Sequence, residues 1–274
     1  MSQFLSLKNI EKSVPVSRQE DKILLKKVNL EIAKNEIVSI VGSKGCGKTT
    51  LLKIISGLER QSKGQVILNG RIVEGAGQDR AMVFKHHSFL PWLSSYENIE
   101  MVLKKVMPEL EPEELQERIE YFISMGKLDT IQDELPRKLG QEMQHRLSIV
   151  QALAISPDVV LMDQPFSSLD TLTRHAMQAY LLEVKQQTKS TVIMITDDVD
   201  EAVYLSDKII MMSAIGNHSI QEILEVGLPH PRERVALQSN AQYMHCREKI
   251  FRFLYESNGQ HDTIQQGETH ERIY

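Results

Sequence analysis

The sequence predicts an α/β fold in which helices cover a mixed, mostly parallel sheet. Six short runs rich in Val, Ile and Met alternate with segments of helical spacing, and runs that are apolar on both faces are typical of buried parallel strands. These runs are 36–41, 65–70, 81–84, 159–163, 191–196 and 208–213. Residues 95–155 contain no comparable run and carry amphipathic, charge-rich patterns, which predict an inserted helical subdomain.

The same patterns divide the chain. Residues 1–94 and 156–227 are expected to form the α/β core with an antiparallel β edge, and 95–155 the helical subdomain. Residues 228–256 are expected to be a C-terminal helical extension. Residues 257–274 are polar and aperiodic, which predicts a disordered tail.

Composition argues against several classes of function. The chain of 274 residues has 32 Lys and Arg against 37 Asp and Glu, a net charge of −5, so no nucleic-acid partner is expected. A membrane-spanning run of about 18 apolar residues and a signal-peptide layout are not found, which predicts a cytosolic chain. Cys46 and Cys246 form neither a metal-ligand cluster nor a disulfide framework.

A glycine-rich loop follows the first of the predicted strands. The octapeptide GSKGCGKT, residues 42–49, lies between that strand and a helical run, the context in which such a loop holds phosphates as a P-loop. Lys48 can reach β- and γ-phosphates, and the Thr49 hydroxyl can bind Mg²⁺. The predicted ligands are ATP and Mg²⁺, and the binding residues are Gly42, Ser43, Lys44, Gly45, Cys46, Gly47, Lys48, Thr49 and Thr50.

Asp163 ends another predicted strand. In VLMDQPFSSLD, residues 160–170, an apolar run delivers this carboxylate to a phosphate site. The next position is where a hydrolysing enzyme needs a second carboxylate, and it is occupied by Gln164.

With MVFK (82–85), KLGQEMQHRLSIVQAL (138–153) and MITDDVDEAVYLSDKI (194–209), these motifs resemble the nucleotide-binding subunit of an ABC transporter. The resemblance covers about residues 4–227, and residues 225–256 are similar to the C-terminal part of cassettes in nitrate, nitrite, cyanate and bicarbonate importers. It implies that two cassettes sandwich two ATP molecules, each held by the phosphate loop of one chain and the signature motif of the other.

Two positions that the resemblance assigns to hydrolysis depart from the family pattern. Gln164 stands where a glutamate polarises the attacking water, and an amide cannot accept that water's proton, a loss of roughly 10²–10⁴ in rate. Asp197 stands where a histidine contacts the γ-phosphate, and an ionised aspartate repels that phosphate. The alternative is that Asp200 or Glu201 acts as the base in place of the missing glutamate.

Further departures add charge around the same phosphate. Lys85 replaces the Q-loop glutamine and could place an ammonium near the γ-phosphate, where attraction at about 4 Å is roughly 4 kcal/mol before desolvation. Lys44 stands where the family usually has serine, and it either adds to this effect or is a solvated loop lysine. His86 and His87 are expected to be an exposed polar pair, because consecutive side chains diverge.

The segment aligned with the signature motif is altered as well. Gly140, Gln141 and Glu142 stand where the family has Ser-Gly-Gly, so Glu142 is expected to oppose the phosphate bound to the other subunit. Two family positions are kept. The resemblance implies that Asp163 binds Mg²⁺ together with Thr49 and that Asp170 is the D-loop aspartate at the seam between the two cassettes.

The resemblance implies an ATP-binding subunit of an importer for a small oxyanion, nitrate being favoured by residues 225–256. The departures predict a degenerate, weakly or non-hydrolysing half of a heterodimeric ATPase. Its expected partners are transmembrane permease subunits at the cytoplasmic face of the inner membrane, a second, more complete cassette and, indirectly, a substrate-binding protein. The alternatives are a self-sufficient transport ATPase with rewired residues and a regulatory nucleotide-binding module. Because the segment around Trp92 resembles the groove for a permease coupling helix, a transporter role is favoured.

Overall fold

The computed structural model describes residues 4–15, 21–214 and 216–270, and for residues 21 and 258–270 it describes the backbone alone. The strands are β1 (Leu5–Pro15), β2 (Asp21–Ile32), β3 (Ile37–Gly42), β4 (Lys63–Leu68), β5 (Arg71–Ile72), β6 (Arg80–Val83), β7 (Val159–Asp163), β8 (Thr191–Ile195), β9 (Lys208–Met212) and β10 (Ile220–Glu225). The helices are α1 (Lys48–Ser56), α2 (Ser95–Val106), α3 (Pro112–Met125), α4 (Gln141–Leu153), α5 (Thr171–Thr188), α6 (Val199–Leu205), α7 (Arg234–Leu237) and α8 (Ala241–His270). Short 3-10 turns lie at Asp129–Ile131 and Pro136–Lys138.

The chain forms two compact units, Met1–Glu74 with Ile195–Tyr274, and Gly75–Met194. The second unit extends on both sides of residues 95–155, because it also contains strands β6 and β7, most of β8 and helix α5.

The first unit contains an antiparallel sheet and part of a mixed one. Strands β2, β1, β4 and β5 lie in that order, and β1 pairs antiparallel with both β2 and β4. In the other sheet β3 pairs parallel with β9, and β10 pairs antiparallel with β9. All six residues of β3 are buried, as the continuous apolar run predicted. β1, β2 and β10 are not among the six predicted runs, because their exposed faces interrupt the apolar pattern with charged residues.

The second unit places three strands and four helices around its own core. Strand order runs β8, β7, β6, and β6 pairs parallel with β7 so that Val83 lies opposite Met162. Helix α2 begins with a capping box in which Ser94 and Glu97 each accept the other's backbone N–H. Residues 95–155 contain helices α2, α3 and α4 and the two 3-10 turns.

The C-terminal segment after β10 contains helices α7 and α8. α8 continues to His270 and so includes the first part of the segment for which a disordered tail was predicted, while 271–274 lie outside the described residues. Arg232 anchors the extension, because its buried guanidinium donates to the carbonyls of Val203, Tyr204 and Ser206 at the end of α6.

Together these elements confirm the predicted α/β fold with a mixed, mostly parallel sheet and an antiparallel sheet. Within residues 4–15, 21–214 and 216–270, no helix is both long and apolar enough to cross a membrane.

Candidate functional site

The glycine-rich loop joins the end of β3 to the start of α1, as its sequence context predicted. Gly42 lies so close to β9 that a Cβ atom would be 2.2 Å from the carbonyl oxygen of Met212. Gly47, the N-cap residue of α1, has φ 97°, and a Cβ atom there would be 2.6 Å from Leu25 Cδ2. Both positions exclude larger residues, so two of the loop glycines are required by packing.

Helix α1 begins with a buried lysine. Lys48 is 8% exposed, and its Nζ donates to the carbonyl oxygens of Gly42 over 2.5 Å and Ser43 over 3.1 Å. No side chain among the described residues caps the N-terminus of α1, which leaves that end of the helix to an anion. The lysine therefore folds back over the loop that it is predicted to serve.

Ser43 supplies a direct indication that the loop is shaped for a ligand. Its Oγ is buried without a hydrogen-bond partner among the described residues, and such an atom is costly to leave unsatisfied. A bound phosphate oxygen would accept a hydrogen bond from the Ser43 hydroxyl. It would also accept hydrogen bonds from the uncapped N–H groups at the N-terminus of α1. Cys46 is buried beside them, and burial raises the pKa of its thiol, so it acts as a packing residue. The loop residues thus fit a phosphate group, and the remaining predicted members, Lys44, Gly45, Thr49 and Thr50, are exposed or half-buried.

Asp197 lies at this loop. Its Oδ1 is 3.5 Å from Lys48 Nζ, and its side chain is 61% exposed. The neighbouring Asp198 has a different role, because its Oδ1 accepts the Glu201 N–H and caps α6. The structure thus brings the predicted position of the missing histidine next to the phosphate-loop lysine.

In the second unit, two other predicted residues meet. β6 and β7 run parallel and end at the same sheet edge, and there Lys85 Nζ donates a hydrogen bond to Gln164 Oε1 over 3.3 Å. Gln164 has φ 49°, a left-handed conformation that residues other than glycine rarely adopt. Lys85 is therefore paired with the amide that replaces the expected base.

The signature segment differs from its predicted electrostatics. Gly140 is the N-cap of α4 and Gln141 its first residue, but Glu142 is not an isolated carboxylate. Arg146 donates to Glu142 Oε1 from Nε over 3.0 Å and from a terminal nitrogen over 2.9 Å, and its guanidinium lies 4.4 Å from the centre of the Tyr180 ring. The expected repulsion of a phosphate by Glu142 is reduced by this pairing. The Glu-x-x-x-Arg spacing was the signal that could have predicted it.

Asp170 caps a helix. Its Oδ1 accepts the backbone N–H groups of Leu172 and Thr173 at the start of α5, and the hydrogen bonds of Thr173 lower the pKa of the Asp170 carboxyl. It is exposed, as a residue at a seam between subunits would be, and its predicted place at that seam stays a prediction.

A histidine pair was missed by sequence reasoning. His86 is exposed, but the prediction of an exposed pair is wrong for His87, which is half-buried and shares a 2.7 Å hydrogen bond with Ser148. The His87 ring meets His145 edge to face with 4.5 Å between centroids, and burial lowers the pKa of His145 to about 4. No local pattern marks two residues 58 positions apart in the chain as partners.

The predicted Mg²⁺ ligands belong to different compact units. Thr49 lies on the first turn of α1 in the first unit, and Asp163 ends β7 in the second. Across the part of the chain that the structure describes, no three His, Cys, Asp or Glu side chains are grouped so that they could hold a metal ion. Mg²⁺ at phosphate sites often takes only one or two protein ligands and completes its shell with phosphates and water. Thr49 and Asp163 therefore remain predicted Mg²⁺ ligands.

A glycine-rich loop between a buried strand and a helix, with its lysine folded over the loop, defines the class of P-loop nucleotide-binding folds. The structure is similar to a solved dimeric ATP-binding cassette, MJ0796 bound to ADP and Pi, with a TM-score of 0.69 and 27% identity over 81% of this chain and 98% of that one. It also resembles cbiO1 from Clostridium perfringens, part of the transporter complex cbiONQ, with a TM-score of 0.71 and 18% identity over 82% of this chain and 89% of that one, a likeness of fold alone.

The family described as ABC transporter matches residues 25–167, and the chain belongs to that family. It is 38% identical to the nitrate transport protein NasD of Klebsiella oxytoca over 85% of this chain and 90% of that protein. It is 34% identical to the nitrate import ATP-binding protein NrtD of Synechococcus elongatus over 92% of each. It is 40% identical to the bicarbonate transport ATP-binding protein CmpC of the same organism over 93% of this chain, but spans only 38% of the length of that relative.

Proposed function

We propose that this chain is an ATP-binding subunit of an ABC importer for a small oxyanion, with nitrate as the first candidate. Two relatives that match it over most of both lengths are named for nitrate transport or import, and one that extends far beyond it is named for bicarbonate. The cassette does not itself bind the cargo in such systems, so the choice of nitrate rests on those names and on residues 225–256.

The phosphate loop is the part of the chain that would hold the nucleotide. Lys48 and the N-terminus of α1 supply positive charge, and the buried Ser43 hydroxyl supplies a hydrogen bond. Bound Mg²⁺ would neutralise phosphate charge, with Thr49 and Asp163 as its protein ligands. These residues bind and orient the phosphates, which is the function that the loop geometry supports best.

The contact between Lys85 and Gln164 carries the second part of the proposal, that this chain is a weakly hydrolysing half of a heterodimeric pair. An amide cannot take a proton from water, and Gln164 Oε1 is already engaged by the Lys85 ammonium at 3.3 Å. Neither group can accept a proton from water, because the amide is not basic and the ammonium is already protonated. A second, more complete cassette would supply the missing base and histidine.

The proposed setting is the cytoplasmic face of the inner membrane, bound to transmembrane permease subunits. Trp92, 69% exposed in the second unit, lies in the segment that resembles a groove for a permease coupling helix. A substrate-binding protein would act on the same complex indirectly. Nucleic acid is not an expected partner, given the net charge of −5.

One observation favours the alternative of a self-sufficient ATPase. Because Arg146 pairs with Glu142, the signature segment presents less negative charge than its sequence suggests, so a second copy of this chain could still complete the site.

The purified chain, alone and together with the permease and a more complete cassette, distinguishes these proposals. The chain alone is expected to bind ATP and to release phosphate at least 10²-fold more slowly than a complete cassette. Turnover by the chain alone at the rate of complete cassettes would refute the degenerate role. Failure to bind any adenine nucleotide would refute the ATP-binding role.

A further inference from the structure

The ion pair between Lys48 and Asp197 places an internal anion beside the phosphate loop. Lys48 Nζ contacts the carbonyl oxygens of Gly42 and Ser43 and lies 3.5 Å from the Asp197 carboxylate. The two carbonyls are neutral acceptors, whereas Asp197 carries a full charge. The lysine that would bind phosphate is therefore already close to a carboxylate.

The backbone on both sides of Asp197 is fixed. Asp198 N–H donates to Thr196 Oγ1 over 3.0 Å, and Thr196 N–H donates to the carbonyl oxygen of Ile40 on β3 over 3.3 Å. On the other side, Asp198 caps α6. Since the Asp197 side chain is 61% exposed, the carboxylate can rotate into solvent, but its Cα stays beside the loop. Its negative charge would therefore lie near any phosphate that Lys48 binds.

The effect of that charge depends on how many phosphates the nucleotide has. Lys48 of such a loop reaches the β- and γ-phosphates, so a triphosphate brings one more anionic group to the lysine than a diphosphate does. The γ-phosphate and the Asp197 carboxylate would both be drawn to the Lys48 ammonium. Asp197 would therefore repel the γ-phosphate more than the other phosphates. Ser43 and the N-terminus of α1 favour phosphate in either nucleotide.

From this geometry we propose that Asp197 is a specificity-determining residue, which lowers the preference of the site for a nucleoside triphosphate over the corresponding diphosphate. The inference rests on the proposed nucleotide-binding function and adds a direction to it. In a chain with this residue, the diphosphate is retained nearly as well as the triphosphate.

The size of the effect follows from distance and exposure. A unit charge about 4–5 Å away acts strongly in a buried site, but solvent around an exposed carboxylate screens most of it, which leaves roughly a tenfold effect on affinity. Asp197→Asn is therefore expected to tighten binding of the triphosphate about tenfold and of the diphosphate by no more than about threefold. The difference should shrink at about 1 M salt, where the screening length is near 3 Å.

The test measures dissociation constants of the full chain for ADP and for a nonhydrolysable ATP analogue, each with Mg²⁺, by titration calorimetry. Asp197→Asn and Asp197→Ser remove the charge, Asp197→Glu retains it, and Glu225→Gln on β10 removes an equally exposed charge away from the loop. A rise in the ratio of triphosphate to diphosphate affinity in the first two variants, with no rise in the others, supports the inference.

Three outcomes count against it, and they are distinguishable. An equal change in both affinities would mean that Asp197 affects the loop as a whole, and no change in either affinity would mean that its charge is not felt; either result overturns the inference while leaving the proposed function intact. Failure of the unmodified chain to bind either nucleotide overturns the proposed function as well. Thermal unfolding of each variant identifies a folding defect. If Asp197→Asn or Asp197→Ser misfolds, the other variant still tests the loss of charge.

Discussion

Replacing Gln164 by glutamate introduces a carboxylate at the point where Lys85 Nζ now lies 3.3 Å from the amide oxygen. A glutamate at this position is the base that complete cassettes are expected to carry, so the substitution alone would be expected to restore hydrolysis. The neighbouring ammonium changes that expectation. Gln164→Glu on its own should raise phosphate release less than about tenfold, and Gln164→Glu combined with Lys85→Gln should raise it by roughly 10²–10⁴.

The size of the Lys85 effect follows from the distance of 3.3 Å between Lys85 Nζ and Gln164 Oε1. Two unit charges at that distance attract by about 5 kcal/mol at an effective dielectric constant of 20, before desolvation is subtracted. Since Lys85 is exposed, the net attraction is nearer about 1 kcal/mol. A net attraction of that size lowers the pKa of the introduced carboxyl by about 0.7, which makes it a weaker base, and the ion pair also holds the carboxylate away from water. Removing Lys85 abolishes both effects.

The assay is single-turnover phosphate release by four proteins: the unmodified chain, the two single variants and the double variant, each with the same partner subunits. Lys105→Gln, on the exposed surface of α2, is the charge-matched control and should have no effect. A non-additive gain in the double variant supports the pairing as the reason for weak hydrolysis. If Gln164→Glu alone reaches the rate of the double variant, Lys85 does not restrain position 164 and the reasoning is wrong.

Three further predictions concern stability, loop packing and pH. Arg232→Met should lower the free energy of unfolding, measured by urea titration, by about 2–4 kcal/mol, because buried carbonyls at the end of α6 lose their donor. The control Arg252→Met, on the exposed face of α8, should change it by less than about 0.5 kcal/mol. Gly47→Ala should abolish nucleotide binding measured by calorimetry, since the added Cβ atom would lie 2.6 Å from the Leu25 side chain. Gly75→Ala should leave binding unchanged, because no atom of the described residues beyond its chain neighbours lies within 4 Å of the added Cβ atom. Equal binding by the two variants would contradict the packing argument. His145 is neutral in the folded state down to a pKa of about 4 but protonates near 6.5 when unfolded, so stability is lost as pH falls through that window, by about 2 kcal/mol at pH 5. His145→Gln should remove that part of the pH dependence, and an unchanged urea midpoint between pH 7.5 and 5 in the unmodified chain would refute it.

Local patterns were enough to predict the strands of the α/β core and its glycine loop. β3, β7 and β9 are continuous apolar runs, and such runs are buried on both faces whatever their neighbours are. The long strands β1 and β2 were missed as individual elements because their apolar residues alternate irregularly with lysines around bulges. Burial of one face, which decides that such segments are strands, is a tertiary property.

The candidate site shows the same division. The sequence named Lys85, Gln164, Asp197 and Glu142 as departures from a known pattern, but it described each of them as a separate change in charge. Side chains far apart in the chain meet only when packing brings their backbones together, and no one-dimensional pattern records that.

By itself, the sequence determined the class of fold and the phosphate loop, since these depend on residue type and on spacing along one strand or helix. Its resemblance to a family predicted that Gln164 and Asp197 stand where a base and a histidine are expected. Tertiary structure decided that Lys85 binds Gln164 and that Asp197 faces Lys48. Each contact lies within one compact unit and joins segments that are far apart in the sequence. The effect of each side chain depends on the charge beside it, and only the folded structure shows which charge that is.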